Sequence, residues 1–287
     1  MVVDRFFQIG GHWSWARLGL GAGCLAAVVM APVAASAQGR LEARYEASLA
    51  GIQVGKGSWV IDISDDQFSA SASGGSTGLL KAVAGGSGTS AAQGRMVNGQ
   101  FAPVNYTATL TTDKKSETIR IQLTGGSVKE SSIEPEPEPT PERIPVTEAQ
   151  RHGVVDPMTG SLVRVPGTAD PVGPEACKSN AAIFDGRMRY DLRLDYKRLE
   201  TVSAKGYQGP VVVCAIAFRP IAGYVPDRPA IKYLIAQRNM EVWLAPIAGT
   251  RVLVPYKVLV PTPVGMAALE ATQFVSTATV RTTAKTQ

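Results

Sequence analysis

The sequence predicts an all-β fold: a strongly curved antiparallel sheet or incomplete up-and-down barrel, with a short helix and a Pro-rich connection. Three observations lead there. Strand-like segments return about every ten residues between turn residues, the spacing of a meander or barrel. Residues 209–224, GPVVVCAIAFRPIAGY, form a continuous apolar run opened by Gly-Pro and closed near a proline. That suits a strand covered on both faces better than a short helix. Residues 187–196 alternate, with Met188, Tyr190, Leu192, Leu194 and Tyr196 on one side and Arg187, Arg189, Asp191, Arg193 and Asp195 on the other. Such a strand buries one face and wets the other.

The first residues stand outside that argument. Arg5 and Arg17 lead into an apolar segment over 18–33, and Ala35, Ser36 and Ala37 supply a small-residue cleavage signature. Residues 1–37 therefore read as a signal peptide, and the mature chain is expected to be exported. An uncleaved anchor is the weaker reading, because Gly19, Gly21, Gly23 and Pro32 interrupt a run already shorter than the roughly 18 residues a span needs. A lipoprotein site at Cys24 lacks the aliphatic residue before it and is weaker still.

Removing 37 of the 287 residues leaves 250, enough for one large β domain, here residues 38–275, with a polar tail over 276–287. The formal charge is +5, from 29 Lys and Arg against 24 Asp and Glu. So small an excess, without a basic stripe, argues against nucleic acid as a partner. No later segment is apolar enough to predict a stable membrane span.

Within the domain, residues 41–49 alternate as a half-buried strand, and residues 52–63 continue it after Ala50 and Gly51. Trp59, Ile61 and Ile63 share a face, and Gly55 and Gly57 mark a bulge or a close backbone approach. Residues 67–73 return after Asp65 and Asp66. The Gly- and Ser-rich stretch over 74–94 reads as a loop with a short apolar turn at Leu79, Leu80, Ala82 and Val83: a mobile lip over a cavity, or a strand pair with a loose connection. Asn98 and Gly99 are the strongest hairpin signal in the chain. Residues 105–111 and 116–123 form the next strands, the latter with Ile119, Ile121 and Leu123 inward. The EPEPEPTPERIP segment over 134–145 cannot join a ladder and reads as a solvated, extended connection. Asp156 followed by Pro157 is a helix N-cap with proline at the first helical position. Asp185 and Gly186 turn the chain into the alternating strand, residues 199–204 return as a separate strand, and residues 228–237 make a short helix or an irregular crossing. Residues 241–245 and 251–260 pair around Ala248 and Gly249 with Trp243 as anchor, and residues 265–275 close the domain.

Chemistry is sparse. Two cysteines follow the signal, Cys177 and Cys214, an even count for an oxidising compartment. Their disulfide would close a loop of 37 residues and contribute roughly 3 to 4 kcal/mol in the chain-entropy picture. The alternatives are two buried thiols packed as small hydrophobes, and a redox pair that lacks the C-x-x-C spacing. His152 is the one histidine after the signal and sits in a polar connection, where it reads as a solvated loop residue. A histidine-rich metal site has no material, and no cofactor motif is present. Asp185, Asp191 and Asp195 occupy one region, as acid-base hydrolysis of a cell-wall glycan would require of its carboxylates. Their alternation with arginines reads instead as a charge ladder on a wet face. The protein is accordingly expected to be no enzyme.

Several of these residues together resemble a known family. They are Tyr45, Gly51 and Gly55; Gly94, Asn98, Gly99 and Pro103; Val155, Asp156 and Pro157; Cys177 with Phe184, Asp185, Gly186 and Arg187; and Cys214 with Pro220, Ile221, Gly223 and Tyr224. The pattern is similar to that of domain of unknown function 3108, over residues 41 to 274. The resemblance implies an exported, β-rich envelope protein of Gram-negative bacteria without an assigned catalytic residue. A curled sheet offers a lined hollow. The expectation is therefore a non-catalytic envelope protein of the periplasm that binds a lipid, another amphipathic ligand or an envelope protein on its concave face, with Trp59, Tyr106, Tyr190, Tyr196, Phe218 and Trp243 as lining residues. A scaffold with a filled hollow is the alternative, and the carboxylate hydrolase comes behind it.

Overall fold

The computed structural model describes residues 38–78, 81 and 85–278. The signal segment, with His12 and Cys24, lies outside the described residues, as do Leu79, Leu80, Ala82, Val83 and residues 279–287. The chain runs as β1 (Gly39–Leu49), β2 (Ile52–Ile63), β3 (Gln67–Ser76), β4 (Gly86–Val97), β5 (Gln100–Thr112), β6 (Ser116–Thr124) and β7 (Ser127–Glu134). After the Pro-rich connection come α1 (Pro157–Gly160), β8 (Val163–Arg164), β9 (Asn180–Phe184), β10 (Arg189–Ala204), β11 (Tyr207–Ala222), α2 (Pro229–Ala236), β12 (Glu241–Pro246), β13 (Val252–Thr262) and β14 (Gly265–Ala278).

All strands belong to one 14-stranded sheet, ordered β7-β6-β5-β4-β3-β2-β1-β14-β13-β12-β11-β10-β9, with β8 paired to β13 off that path. Two antiparallel meanders are thus joined by the first and last strands, whose ladder runs from Gly39 opposite Ala278 to Leu49 opposite Ala267. The sheet curls as expected but is not closed by strand pairing. Residues 152–155 lie between its two edges: Val154 N donates to Gly126 O beside β7, and Val155 exchanges backbone hydrogen bonds with Ala182 and Phe184 of β9, each at 2.9 Å. A second bridge, Lys205 to Gln273, draws the end of β10 onto β14 and tightens the curl of the second meander.

Alternation fills the hollow. Leu41, Ala43 and Tyr45 of β1, Trp59, Ile61 and Ile63 of β2, and Ile119, Ile121 and Leu123 of β6 all reach the main core with Val211, Val213, Trp243, Tyr256 and Phe274. Val212 and Cys214, pointing the other way, enter a second core under β8 and the 3-10 turn Pro174–Lys178, with Val165, Cys177, Val242 and Leu244. The apolar run of β11 is therefore covered on both faces, which is why it lacks alternation. Cys177 and Cys214 are disulfide-bonded with Cα atoms 5.6 Å apart. The bond pins the 3-10 turn to β11 inside the second meander. It does not clasp the two halves, which the β1–β14 ladder holds.

In the Gly- and Ser-rich stretch the strand-pair alternative is the one found: residues 74–76 end β3, and residues 86–93 begin β4 and pair with β3 on one side and β5 on the other. Other expectations are corrected. Residues 127–134, read as no element, form the edge strand β7 after Gly125 and Gly126, whose φ of 57° and 73° suit a two-residue hairpin turn. Residues 199–204 do not return: β10 runs unbroken to Ala204, with a bulge at Lys197 where Tyr196 and Arg198 oppose Cys214 and Val213. That bulge shifts the alternation, and neither face of residues 189–196 is fully buried, Tyr196 being 45% exposed. Asp185 and Gly186 belong to a four-residue turn rather than a two-residue one, with Arg189 opposite Phe184. Ser276 to Ala278, read as tail, continue β14, where Ser276 Oγ accepts from Ala248 N at 2.7 Å.

Candidate functional site

A cavity of about 580 Å³ opens where the two meanders meet, between β1–β3 and β13–β14. Its walls are Tyr45 and Ala47 of β1, Trp59 of β2, Ala72 of β3, Pro255 and Val258 of β13, Leu269 of β14 and Ser161. The room comes from glycine. Gly57 and Gly74 face one another across β2 and β3, and a Cβ on Gly57 would lie 3.0 Å from Ser73 O. The close backbone approach read at Gly55 and Gly57 is thus real, and it leaves this wall without side chains. Tyr45 is fixed by donating to Pro255 O at 2.7 Å, which ties the two meanders across the cavity. Burial pushes its phenol well above the ordinary range, so it stays a neutral donor. Trp59 is buried and its Nε1 has no hydrogen-bond partner among the described residues. Lys56 and Ser58 bring polar groups to the wall, with Lys56 exposed and paired to Glu46 at 3.3 Å. The walls are mostly apolar, with the polar groups of Lys56 and Ser58 among them and Lys56 turned to solvent.

The six aromatic residues expected to line a hollow are dispersed. Trp59 alone of them walls this cavity. Tyr106 and Tyr190 lie near the carboxylates of Asp156 and Asp185; burial first and then those charges push Tyr106 up to about 12 and Tyr190 further. Phe218 packs on Tyr190, ring centroids 5.6 Å apart. Tyr196 faces out. Trp243 donates Nε1 to Glu200 at 2.7 Å and has Arg198 and Lys257 each 5.4 Å from its ring centroid. The Trp243 hydrogen bond, with help from Arg198, holds the Glu200 carboxyl below its ordinary value. Ala47, Pro255, Val258 and Leu269 were not singled out from the sequence, and Tyr45 only as part of the family pattern. Trp59 and the glycines of β2 pointed to this place.

The carboxylates are each engaged. Asp185 accepts from Arg187 N and Met188 N at 2.8 and 2.7 Å and shapes its turn. Asp191 pairs with Arg189 at 2.6 Å and Asp195 with Arg193 at 2.9 Å. These pairs run along the strand rather than across it, and Arg189 and Asp191 are mostly covered. His152 is half exposed; its Nδ1 is 2.8 Å from Ser127 Oγ and its Nε2 3.5 Å from Glu148. Its side chain fastens residues 152–155 to β7. Among the described residues no group of three or more His, Cys, Asp or Glu is placed to hold a metal ion, and no helix is long and apolar enough to cross a membrane.

Residues 44–272 match the family described as protein of unknown function DUF3108. The chain belongs to this family. The DUF3108 match takes in both meanders, from Arg44 of β1 to Thr272 of β14, and so includes every wall of the cavity. No curated protein matches the chain. Among solved structures, the chain is similar to a beta-barrel-like protein of domain of unknown function DUF1849 from Brucella abortus, at 8% identity and a TM-score of 0.42, covering 85% of this chain and 99% of that one.

Proposed function

We propose that this DUF3108 protein is an exported, non-catalytic protein of the cell envelope that holds an apolar or amphipathic ligand, such as a fatty acyl chain, in the cavity between its two meanders. The cavity carries the reading. Its volume of about 580 Å³ falls in the range of small-molecule sites. Tyr45, Trp59, Val258 and Leu269 offer it apolar surface, and the bare β2–β3 backbone leaves space for a chain. Export is supported by the basic and apolar sequence ahead of Ala35-Ser36-Ala37 and by a disulfide suited to an oxidising compartment. A non-catalytic role is supported by carboxylates engaged in turns and ion pairs and by a histidine used to fasten a segment.

The test is native mass spectrometry of protein recovered from the periplasm, together with displacement of a fluorescent fatty acid. Co-purified lipid, and loss of probe binding in Leu269→Asp, is the expected result. Leu269 is 39% exposed, so the fold is expected to survive the substitution, which an unchanged thermal unfolding curve checks. Wild-type protein that carries no lipid and does not bind the probe would overturn the proposal.

A further inference from the structure

The helix α2 reads PAIKYLIA, apolar at every position but Lys232, yet it contains no buried residue. Ile235 is 42% exposed, and Ile231, Tyr233 and Leu234 are only half covered. A helix of that composition ordinarily turns its apolar side into a core. This one lies on β11 and keeps the side open. The charge around it is one-sided: residues 219–239 hold Arg219, Arg228, Lys232 and Arg238 against Asp227 as the single acid. Asp227 is taken up by Lys232 at 2.8 Å, and among the described residues none of the three arginines pairs with a carboxylate. Beside α2 runs a groove of about 550 Å³ that reaches Arg193, Arg219 and Arg238. Its acids, Asp191 and Asp195, are already paired with Arg189 and Arg193.

We propose that α2 and its basic flanks form a peripheral docking surface for an anionic lipid bilayer. The aliphatic side chains enter the boundary between headgroups and acyl chains, and the arginines reach the lipid phosphates. Apolar residues rimmed by cations are what such an interfacial helix requires. Long basic side chains lay their stems along the apolar surface while their heads reach the charge. Anionic lipid is favoured as the occupant by charge complementarity, since each cation near such a surface strengthens binding about five-fold. Eight residues cannot span a bilayer, so the contact is with its surface. This surface is separate from the cavity, and the inference stands without it.

The test is flotation of the full chain with vesicles of equimolar phosphatidylglycerol and phosphatidylcholine, compared with phosphatidylcholine alone. Binding to the anionic vesicles is expected, weakening as salt rises. Ile235→Asp should weaken it about ten-fold or more, given the cost of bringing a charge to an apolar contact. Arg228→Gln with Arg238→Gln should weaken it about 25-fold at low salt, and Ile235→Leu should leave it unchanged. All three positions are exposed, and unchanged thermal unfolding confirms that the variants fold. Equal binding by wild type and both weakening variants overturns the proposal. If the variants keep vesicle binding but lose an acidic protein that co-purifies with wild type, the surface is a protein site and the lipid assignment falls.

Discussion

Arg187, in the turn between β9 and β10, forms an ion pair with Glu117 of β6 across the gap that strand pairing leaves open. Glu117 is 12% exposed and Arg187 30%. The turn that carries Arg187 also presses Gly186 against β6, where an added Cβ would meet Ile119 Cγ2 at 2.6 Å. Backbone bridges through residues 152–155, this ion pair and this contact together close what the ladder does not.

The pair gives the fold an acid-sensitive closure. Burial alone would raise the Glu117 carboxyl above its ordinary 4.5, but Arg187 and then Lys115 outweigh it and hold the group lower. A depressed carboxyl contributes stability that is fully present above its unfolded value and is lost as pH falls through its folded one. Thermal unfolding of wild type should therefore decline more steeply below about pH 4.5 than that of Glu117→Gln. At neutral pH the substitution should cost about 1 to 2 kcal/mol, between a solvated and a buried pair. Parallel pH profiles for the two proteins would show that the pair contributes nothing.

Asp156 should behave with the opposite sign. It is fully buried at the start of α1, where Oδ1 accepts from Met158 N and Thr159 N at 3.0 and 2.9 Å and Oδ2 accepts from Thr159 Oγ1 at 2.6 Å. Burial raises its carboxyl above the ordinary value despite those donors. A raised carboxyl binds its proton more tightly in the fold, so its ionisation costs stability as pH rises through the folded value. Asp156→Ala should lose about 1 to 2 kcal/mol in denaturant unfolding as the cap goes. Asp156→Asn keeps an acceptor for the two N–H groups and offers a donor to the threonine hydroxyl, and should lose less. Equal losses would show that packing, not capping, sets the role of this residue.

The disulfide should matter locally. Cys177→Ser with Cys214→Ser releases a 37-residue loop and should lower stability by about 3 kcal/mol. Because the bond lies in the second core, faster amide exchange should concentrate in residues 163–178 and β11–β13. Uniform loosening that also reaches β2–β6 would refute that placement.

Sequence periodicity made the meanders legible wherever one face is buried and the other wet, as in β1, β2 and β6. It failed where that contrast vanishes. β7, SVKESSIE, is an edge strand with little to bury, so only Gly125-Gly126 announced it. Residues 86–92 alternate among glycine, serine, threonine and alanine, whose side chains are too small to show a face, and their pairing with two neighbours decides their state. In β10 neither face of residues 189–196 is fully buried, so Tyr196, read as inward, came out exposed although it lies ahead of the bulge at Lys197. The cavity was hardest to foresee because it is assembled across the chain: Tyr45 and Pro255, which close it, stand 210 residues apart. Of the six aromatic candidates for a lining, Trp59, Tyr106 and Trp243 went to the core and the other three to partly buried or exposed positions.

Trp59 offers a way to separate the cavity wall from the core. Its ring is packed among Tyr45, Ile61 and the other residues of the main core, while its Nε1 is buried without a partner. An unpaired buried donor costs about 1 to 3 kcal/mol, which the folded protein carries in exchange for the area of the large ring. Trp59→Phe deletes the donor and keeps an aromatic surface, so the relief should offset much of the lost packing and leave stability within about 1 kcal/mol of wild type. Trp59→Ala also empties the ring volume and should cost about 3 to 5 kcal/mol. Denaturant midpoints for the two variants test this, and a phenylalanine variant as unstable as the alanine one would mean that the indole N–H has a partner in solution.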